Sequence, residues 1–313
     1  MGVKLRTKEL EVTCFPEHGF VIGSITSRPV GNVLWNPPGA TFAPLGWDLG
    51  PPGDASVTSF DKDVLAGGWF LMFPSAGPPG PGYDGWMHGE AARLPWSMVS
   101  NDETHVRAQL ETPISGFLLD RQVTLDGSVL RVETVAENVS GKIRSITFGE
   151  HPCLRRDVFA GGRIEMRPSA AFVYSQADPE HASLAGEQVF SWPIAPEVDG
   201  DWCDLASVPV EPDGRHDHVG LTLPSGTVDI LDADGATGLR LTWDTKTMSY
   251  ALLWQHFLPG SSPWPGDVLA IEPSSSDGRT RSESVEQGHE RQVGIGERVR
   301  TWMAIEVLDR RAT

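Results

Sequence analysis

The chain has 313 residues, a formal charge of −17 and 39% apolar residues including 11 tryptophans. Such a negative field repels phosphate backbones and anionic membranes, which argues against a nucleic-acid partner, and the apolar content is that of a packed protein, not a disordered one. No apolar run is long enough to span a bilayer, and the start MGVKLRTKELEV has no apolar signal-peptide core. Three widely spaced cysteines (Cys14, Cys153, Cys203) do not make a disulfide framework. A cytoplasmic protein without a membrane partner is expected.

In chain order, short segments with period two succeed one another: VIGSITS, THVRAQLET, FLLDRQVTL, SVLRVETVAEN, RSITFGE, GTVDIL, GLRLTWD, YALLWQH, VLAIEP and the C-terminal run around residues 298–307. In SVLRVETVAEN, Leu130, Val132 and Ala136 share one face, and Arg131, Glu133 and Glu137 the other. This is the pattern of half-buried antiparallel strands. Turn dipeptides such as Asp126-Gly127, Ser140-Gly141 and Asp234-Gly235 separate them. No long window has helical periodicity. With 34 glycines and 25 prolines spread along the chain, the expectation is an all-β fold, a large antiparallel sandwich forming one domain over 1–313. Residues 74–85, PSAGPPGPGYDG, read as a solvated connection or as a rim over a site.

The segment GEHPCL, 149–154, is expected where a strand ends. His151 is open to three readings: a proton donor, a metal ligand with Cys153, or a buried ring with satisfied nitrogens. His151-x-Cys153 and His216-x-His218 each set two candidate ligands on one strand face. The second spacing resembles a cupin's, which also needs a glutamate a few residues later, where Thr222 and Leu223 stand. With no zinc-like cluster elsewhere, no metal is expected. Glu150, Asp267 and Glu272 offer the carboxylates of a glycoside hydrolase, but nothing in the sequence fixes their separation.

Taken together, LAGGWFLMFP, WMHGEAARLPW, GEHPCL, VLAIEP and the tail GIGERVRTWMAIEVL resemble, in order, the aldose 1-epimerase (galactose mutarotase-like) superfamily. The resemblance runs from HGFVIGSI near residue 20 to about residue 308. It implies a β-supersandwich that binds a sugar in an open groove, needs no cofactor, and interconverts α and β anomers by ring opening and closure. Such chemistry requires a base for the O1 proton and an acid for the ring oxygen, which a carboxylate and an imidazole supply. Carried across, Glu272 is the base and His151 the acid, facing one another across roughly a sugar ring, and His88 contacts hydroxyls or shares the proton transfer. Trp254 and Trp264 offer aromatic faces to a pyranose, and Gln255 a hydroxyl contact. The phosphorylated-hexose branch has an arginine one position before Arg93, where Ala92 stands, and one residue turns a strand side chain to the other face. Arg93 is therefore a candidate binding residue, but a neutral hexose is the preferred partner. The alternative is a non-catalytic carbohydrate-binding or regulatory protein with the same fold.

Overall fold

The computed structural model describes residues 2–174, 182–258, 266–277 and 280–311. Two antiparallel sheets dominate it. The larger runs in the spatial order Val3–Arg6, Leu10–Phe15, Val21–Ser27, Trp69–Met72, Gly149–Arg155, Gly266–Ser274, Tyr250–Leu258, His216–Thr222, Ala170–Val173, Gln188–Phe190, with Gly31–Asn32 paired beside Val21–Ser27. The smaller has eight strands, ordered Arg163–Glu165, Thr227–Leu231, Thr237–Trp243, Arg298–Asp309, Val129–Asn138, Phe117–Asp126, His105–Glu111, Ser97–Asn101.

The period-two segments become strands because one face of each is apolar. Along Val129–Asn138, burial alternates residue by residue, with Leu130, Val132 and Ala136 inside. Side chains from both sheets, including Leu119 and Val132 from one and Leu71, Ile271 and Leu253 from the other, join in one continuous core. A second, smaller apolar cluster (Val21, Phe60, Phe70, Met72, Cys153, Val268) lies on the other face of the larger sheet.

One charged pair crosses the sandwich. Arg121, with no exposed surface, donates from Nη1 and Nη2 to the two oxygens of Glu150 at 2.7 and 2.8 Å. Trp69 Nε1 donates to the same carboxylate at 2.7 Å, and Arg121 also reaches Thr134 Oγ1 at 2.8 Å. A buried carboxylate so satisfied fixes which residue of GEHPCL faces the core.

Three local features depart from the sequence reading. RSITFGE is not one strand: Arg144–Ile146 leaves to pair with Arg291–Val293, and a new strand begins at Gly149. GEHPCL therefore opens a central strand that continues through Pro152 to Arg155. Two short helices exist, Ala55–Asp63 and Arg281–Glu286, the second opened by a Thr280/Glu283 capping box. Residues 74–85 are not a freely solvated connection, since only Pro81, Gly82 and Asp84 in them are exposed. The backbone N–H groups of Arg281 and Ser282 donate to Pro78 and Pro79 carbonyls, and Arg281 Nε donates to Tyr83 Oη.

Candidate active site

Strand parity builds the site. Glu150 points into the sandwich, so His151 points out of it, onto the far face of the larger sheet. On one side His151 is opposite Phe70. On the other, Gly149 pairs with Ser274 and Cys153 with Ala270, a register that sets Glu272 opposite His151. Directly opposite residues share a face. His151 Nε2 and Glu272 Oε1 accordingly lie 3.4 Å apart. They are in contact, not a sugar ring apart as the resemblance implied, because adjacent strands leave no room for a ring between them.

Both groups are nearly enclosed, at 5% exposure each. Phe70 stacks on the His151 ring at 4.6 Å, and Cys153 Sγ lies 3.4 Å from His151 Nδ1. Burial pushes the Glu272 carboxyl up to about 8 and the His151 imidazole down to about 3. The Cys153 thiol is pushed well above its usual range by burial and then by the Glu272 charge. Burial thus favours the uncharged form of both groups, a protonated carboxyl beside a neutral imidazole. The carboxylate–imidazolium form is the other tautomer of the same one-proton pair.

His88 arrives from a loop. Its backbone adopts φ +59°, a left-handed conformation uncommon for a residue with a β-carbon. It is held there by Phe73 N donating to the His88 carbonyl and by His88 N donating to Gly77 O. Gly89 follows at φ +73°, and a β-carbon there would lie 2.3 Å from the Phe73 carbonyl oxygen. Only glycine fits, which accounts for the His-Gly step. The His88 ring meets Phe60 edge-on at 4.9 Å and His151 at 5.3 Å. Burial, then the charges of His151 and Arg93, hold its pKa well below the ordinary imidazole range. Its Nδ1 is buried without a hydrogen-bond partner.

Trp254 lies opposite Ala270 and His218, on the same face, with its ring 5.9 Å from His151. Gln255, the next residue, is turned the other way by the two-residue period. It donates to Leu205 O and accepts from Arg215 Nη1, and so does not join the site. Arg93 is also not at the pair's surface. It is 4% exposed, and its guanidinium donates to the carbonyls of Leu49, Ser56 and Met87 and to Ser59 Oγ, over the Phe60 ring. It clamps the Ala55–Asp63 helix to the loop that carries His88. Trp264 lies outside the described residues. His216 and His218 do share a face, and His256 lies opposite His216 with rings 4.6 Å apart. Among the described residues, no group of three or more His, Cys, Asp or Glu side chains is placed to hold a metal ion.

Phe70, which stacks on His151, and Phe60, whose ring meets Phe70 and His88, were not singled out by sequence. Phe70 sits in WFLM with no local mark of its role, and only the register with GEHPCL reveals it.

No protein-family model and no curated protein matches the sequence. Solved structures do. The Slr1438 protein from Synechocystis sp. PCC 6803 superposes with a TM-score of 0.68 at 16% identity, covering 99% of this chain and 96% of that one. A galactose mutarotase-like protein from Clostridium acetobutylicum gives 0.68 at 12% identity, covering 98% and 95%. A galactose mutarotase related enzyme from Lactobacillus acidophilus gives 0.64 at 12%, covering 98% and 97%. This is the galactose mutarotase-like fold. At such identity the likeness speaks for the fold alone; within that mutarotase-like sandwich, His151, Glu272, His88 and Trp254 converge on one sheet face although up to 184 positions separate them along the chain, from His88 to Glu272.

Proposed function

We propose that the protein is an isomerase that interconverts the α and β anomers of an aldose by acid–base ring opening and closure. The observation that carries this is the contact of His151 with Glu272, an imidazole and a carboxyl 3.4 Å apart and walled by Phe70 and Trp254. An anomeric centre bears O1 and the ring oxygen on a single carbon. Ring opening takes a proton from O1 and gives one to the ring oxygen, so the two exchanging groups must lie close together. An acid and a base in contact meet that need. As O1–H breaks, the base holds the proton. The electron pair forms the carbonyl at C1, the C1–ring-oxygen bond breaks, and the acid protonates the departing oxygen. After rotation about C1–C2, the reverse transfers close the ring on the other face. Each cycle returns the pair to one proton, whichever tautomer begins it.

The aromatic walls support a pyranose, whose C–H face packs on rings. A neutral sugar is supported by the engagement of nearby arginines. Arg93 is spent on the loop clamp, Arg155 pairs with Asp157, and Arg156 pairs with Asp267. None of the three offers a free guanidinium fork for a phosphate.

Anomer-exchange NMR over a panel of free and phosphorylated hexoses tests the reading. Glu272→Gln and His151→Asn should each slow exchange by about 10²–10⁴-fold without unfolding the protein. Wild-type rates in both variants would refute it. Sugar binding without any exchange in the wild type would instead support a carbohydrate-binding protein that keeps the fold and does no chemistry.

A further inference from the structure

The His151 ring has a polar neighbour at each nitrogen, and only one of them, Glu272, has a part in the proposed reaction. The two-residue period sets Cys153 on the same outer face of Gly149–Arg155 as His151. Cys153 lies opposite Ala270, two residues from Glu272 in the neighbouring strand. The imidazole is therefore held between a thiol and a carboxyl, with Cys153 Sγ 3.4 Å from Nδ1 and Glu272 Oε1 3.4 Å from Nε2. Phe70 stacks on one ring face and Trp254 meets the ring edge-on. Cys153 has no exposed surface, so bulk water does not stand in for its sulfur at Nδ1.

A neutral imidazole has one donor and one acceptor nitrogen, and the bond made at one fixes the role of the other. Burial raises both the Cys153 thiol and the Glu272 carboxyl, so both acids hold their protons. A protonated carboxyl donates to the nitrogen it faces, which makes Nε2 the acceptor and leaves the ring proton on Nδ1. The thiol sulfur, a weak acceptor, stands where that N–H points. Burial disfavours a charged ring, whereas the backbone carbonyl of His151 itself favours a proton on it. Only Nδ1 lies near enough to the backbone to meet that oxygen, so both influences place the proton on the same nitrogen.

We propose that Cys153 is a positioning residue: its sulfur receives the Nδ1–H of His151, fixes the rotation and tautomer of the ring, and so presents Nε2 to Glu272 and to the sugar oxygens. Nε2 is then the one nitrogen that exchanges protons. Nδ1 keeps its proton in either tautomer of the pair, while Nε2 gains a proton and returns it within each cycle. The thiol neither ionises nor forms a covalent bond. The reaction it serves rests on the proposed anomerase reading, whereas the tautomer is a property of the protein that needs no sugar to measure. Cys153 also packs in the small apolar cluster with Phe70 and Val268, and mere space-filling is the rival that the test must separate.

Two measurements on the full chain separate ring position from turnover. Long-range 1H–15N spectra at neutral pH, without sugar, report which imidazole nitrogen carries the proton, and the His151→Asn variant assigns the signals. Anomer-exchange NMR with glucose and galactose gives kcat and KM. Wild-type His151 should carry its proton on Nδ1. Cys153→Val fills the space without an acceptor; it should mix the tautomers and lower kcat by about tenfold, the yield of one hydrogen bond, with KM within about twofold. Cys153→Ala serves in its place if valine overpacks. Cys153→Ser, whose hydroxyl also accepts, should keep the Nδ1–H tautomer and most of the rate. A valine or alanine variant with wild-type tautomer and rate would assign the ring's position to packing and the backbone carbonyl, and would overturn the proposal. So would a wild-type ring protonated at Nε2. No exchange in the wild type, with a tautomer that still depends on Cys153, would remove the anomerase reading and uphold the positioning role.

Discussion

Replacing Arg121 by methionine tests the claim that a cross-sheet ion pair decides which way GEHPCL faces. Methionine keeps much of the aliphatic stem and removes the guanidinium. The loss includes both hydrogen bonds to Glu150 and the one to Thr134, at 2.7–2.8 Å. Glu150 keeps only Trp69 Nε1 as a polar partner, at a position 1% exposed where water cannot replace the missing donors. Breaking one side of a buried pair costs about 3–5 kcal/mol. That is a large share of the roughly 5–15 kcal/mol that holds a domain together. The midpoint of urea denaturation should fall accordingly. Arg121→Met with Glu150→Gln should recover a good part of the loss, because no uncompensated carboxylate remains. If Arg121→Met alone costs less than about 1 kcal/mol, the pair does not hold the strand and the account of His151's orientation fails.

Stability should also depend on pH through the His151–Glu272 pair. With its folded value near 8 against an ordinary 4.5, Glu272 contributes stability that is complete below pH 4.5 and lost as pH rises toward 8; His151, near 3 against 6.5, contributes stability that is lost as pH falls from 6.5 toward 3. Urea midpoints should drop between pH 6.5 and 8.5 in the wild type and drop less in Glu272→Gln; equal drops would refute the Glu272 assignment. Gly89→Ala, which forces a β-carbon against the Phe73 carbonyl at positive φ, should destabilise by about 1–3 kcal/mol and weaken sugar binding by displacing His88, as thermal melts and calorimetry would show. Arg93→Met should lower the melting temperature and change affinity for hexose and hexose phosphate by similar factors, because its donors serve the Leu49, Ser56 and Met87 carbonyls; selective loss of phosphate-sugar binding would show that it reaches ligand.

Much of the architecture is written locally. The alternation of Leu130, Val132 and Ala136 with charged residues is enough to make that segment a half-buried strand, and a chain of such segments closes into a sandwich. Turn dipeptides such as Asp126-Gly127 and Asp234-Gly235 mark breaks between strands from sequence alone, and both glycines adopt the left-handed backbone. Pairing is not local. That His151 and Glu272 touch, that Phe70 covers one and Leu252 adjoins the other, depends on the register among strands whose facing residues lie up to 121 positions apart. A shift of one residue would have put Gln255 on the site face in place of Trp254. Arg93 looked like a ligand contact because it neighbours the His-Gly step; the fold buries it, since a helix and a loop bring three carbonyls to its guanidinium. Charge state lay equally beyond the sequence. A histidine and a glutamate ordinarily titrate near 6.5 and 4.5, and only enclosure between sheet, aromatic rings and loop moves the shared proton onto the carboxyl. Period-two patterning sets which side chains turn together along one strand, whereas the neighbours across strands, and the dielectric they create, exist only once the sheet has formed.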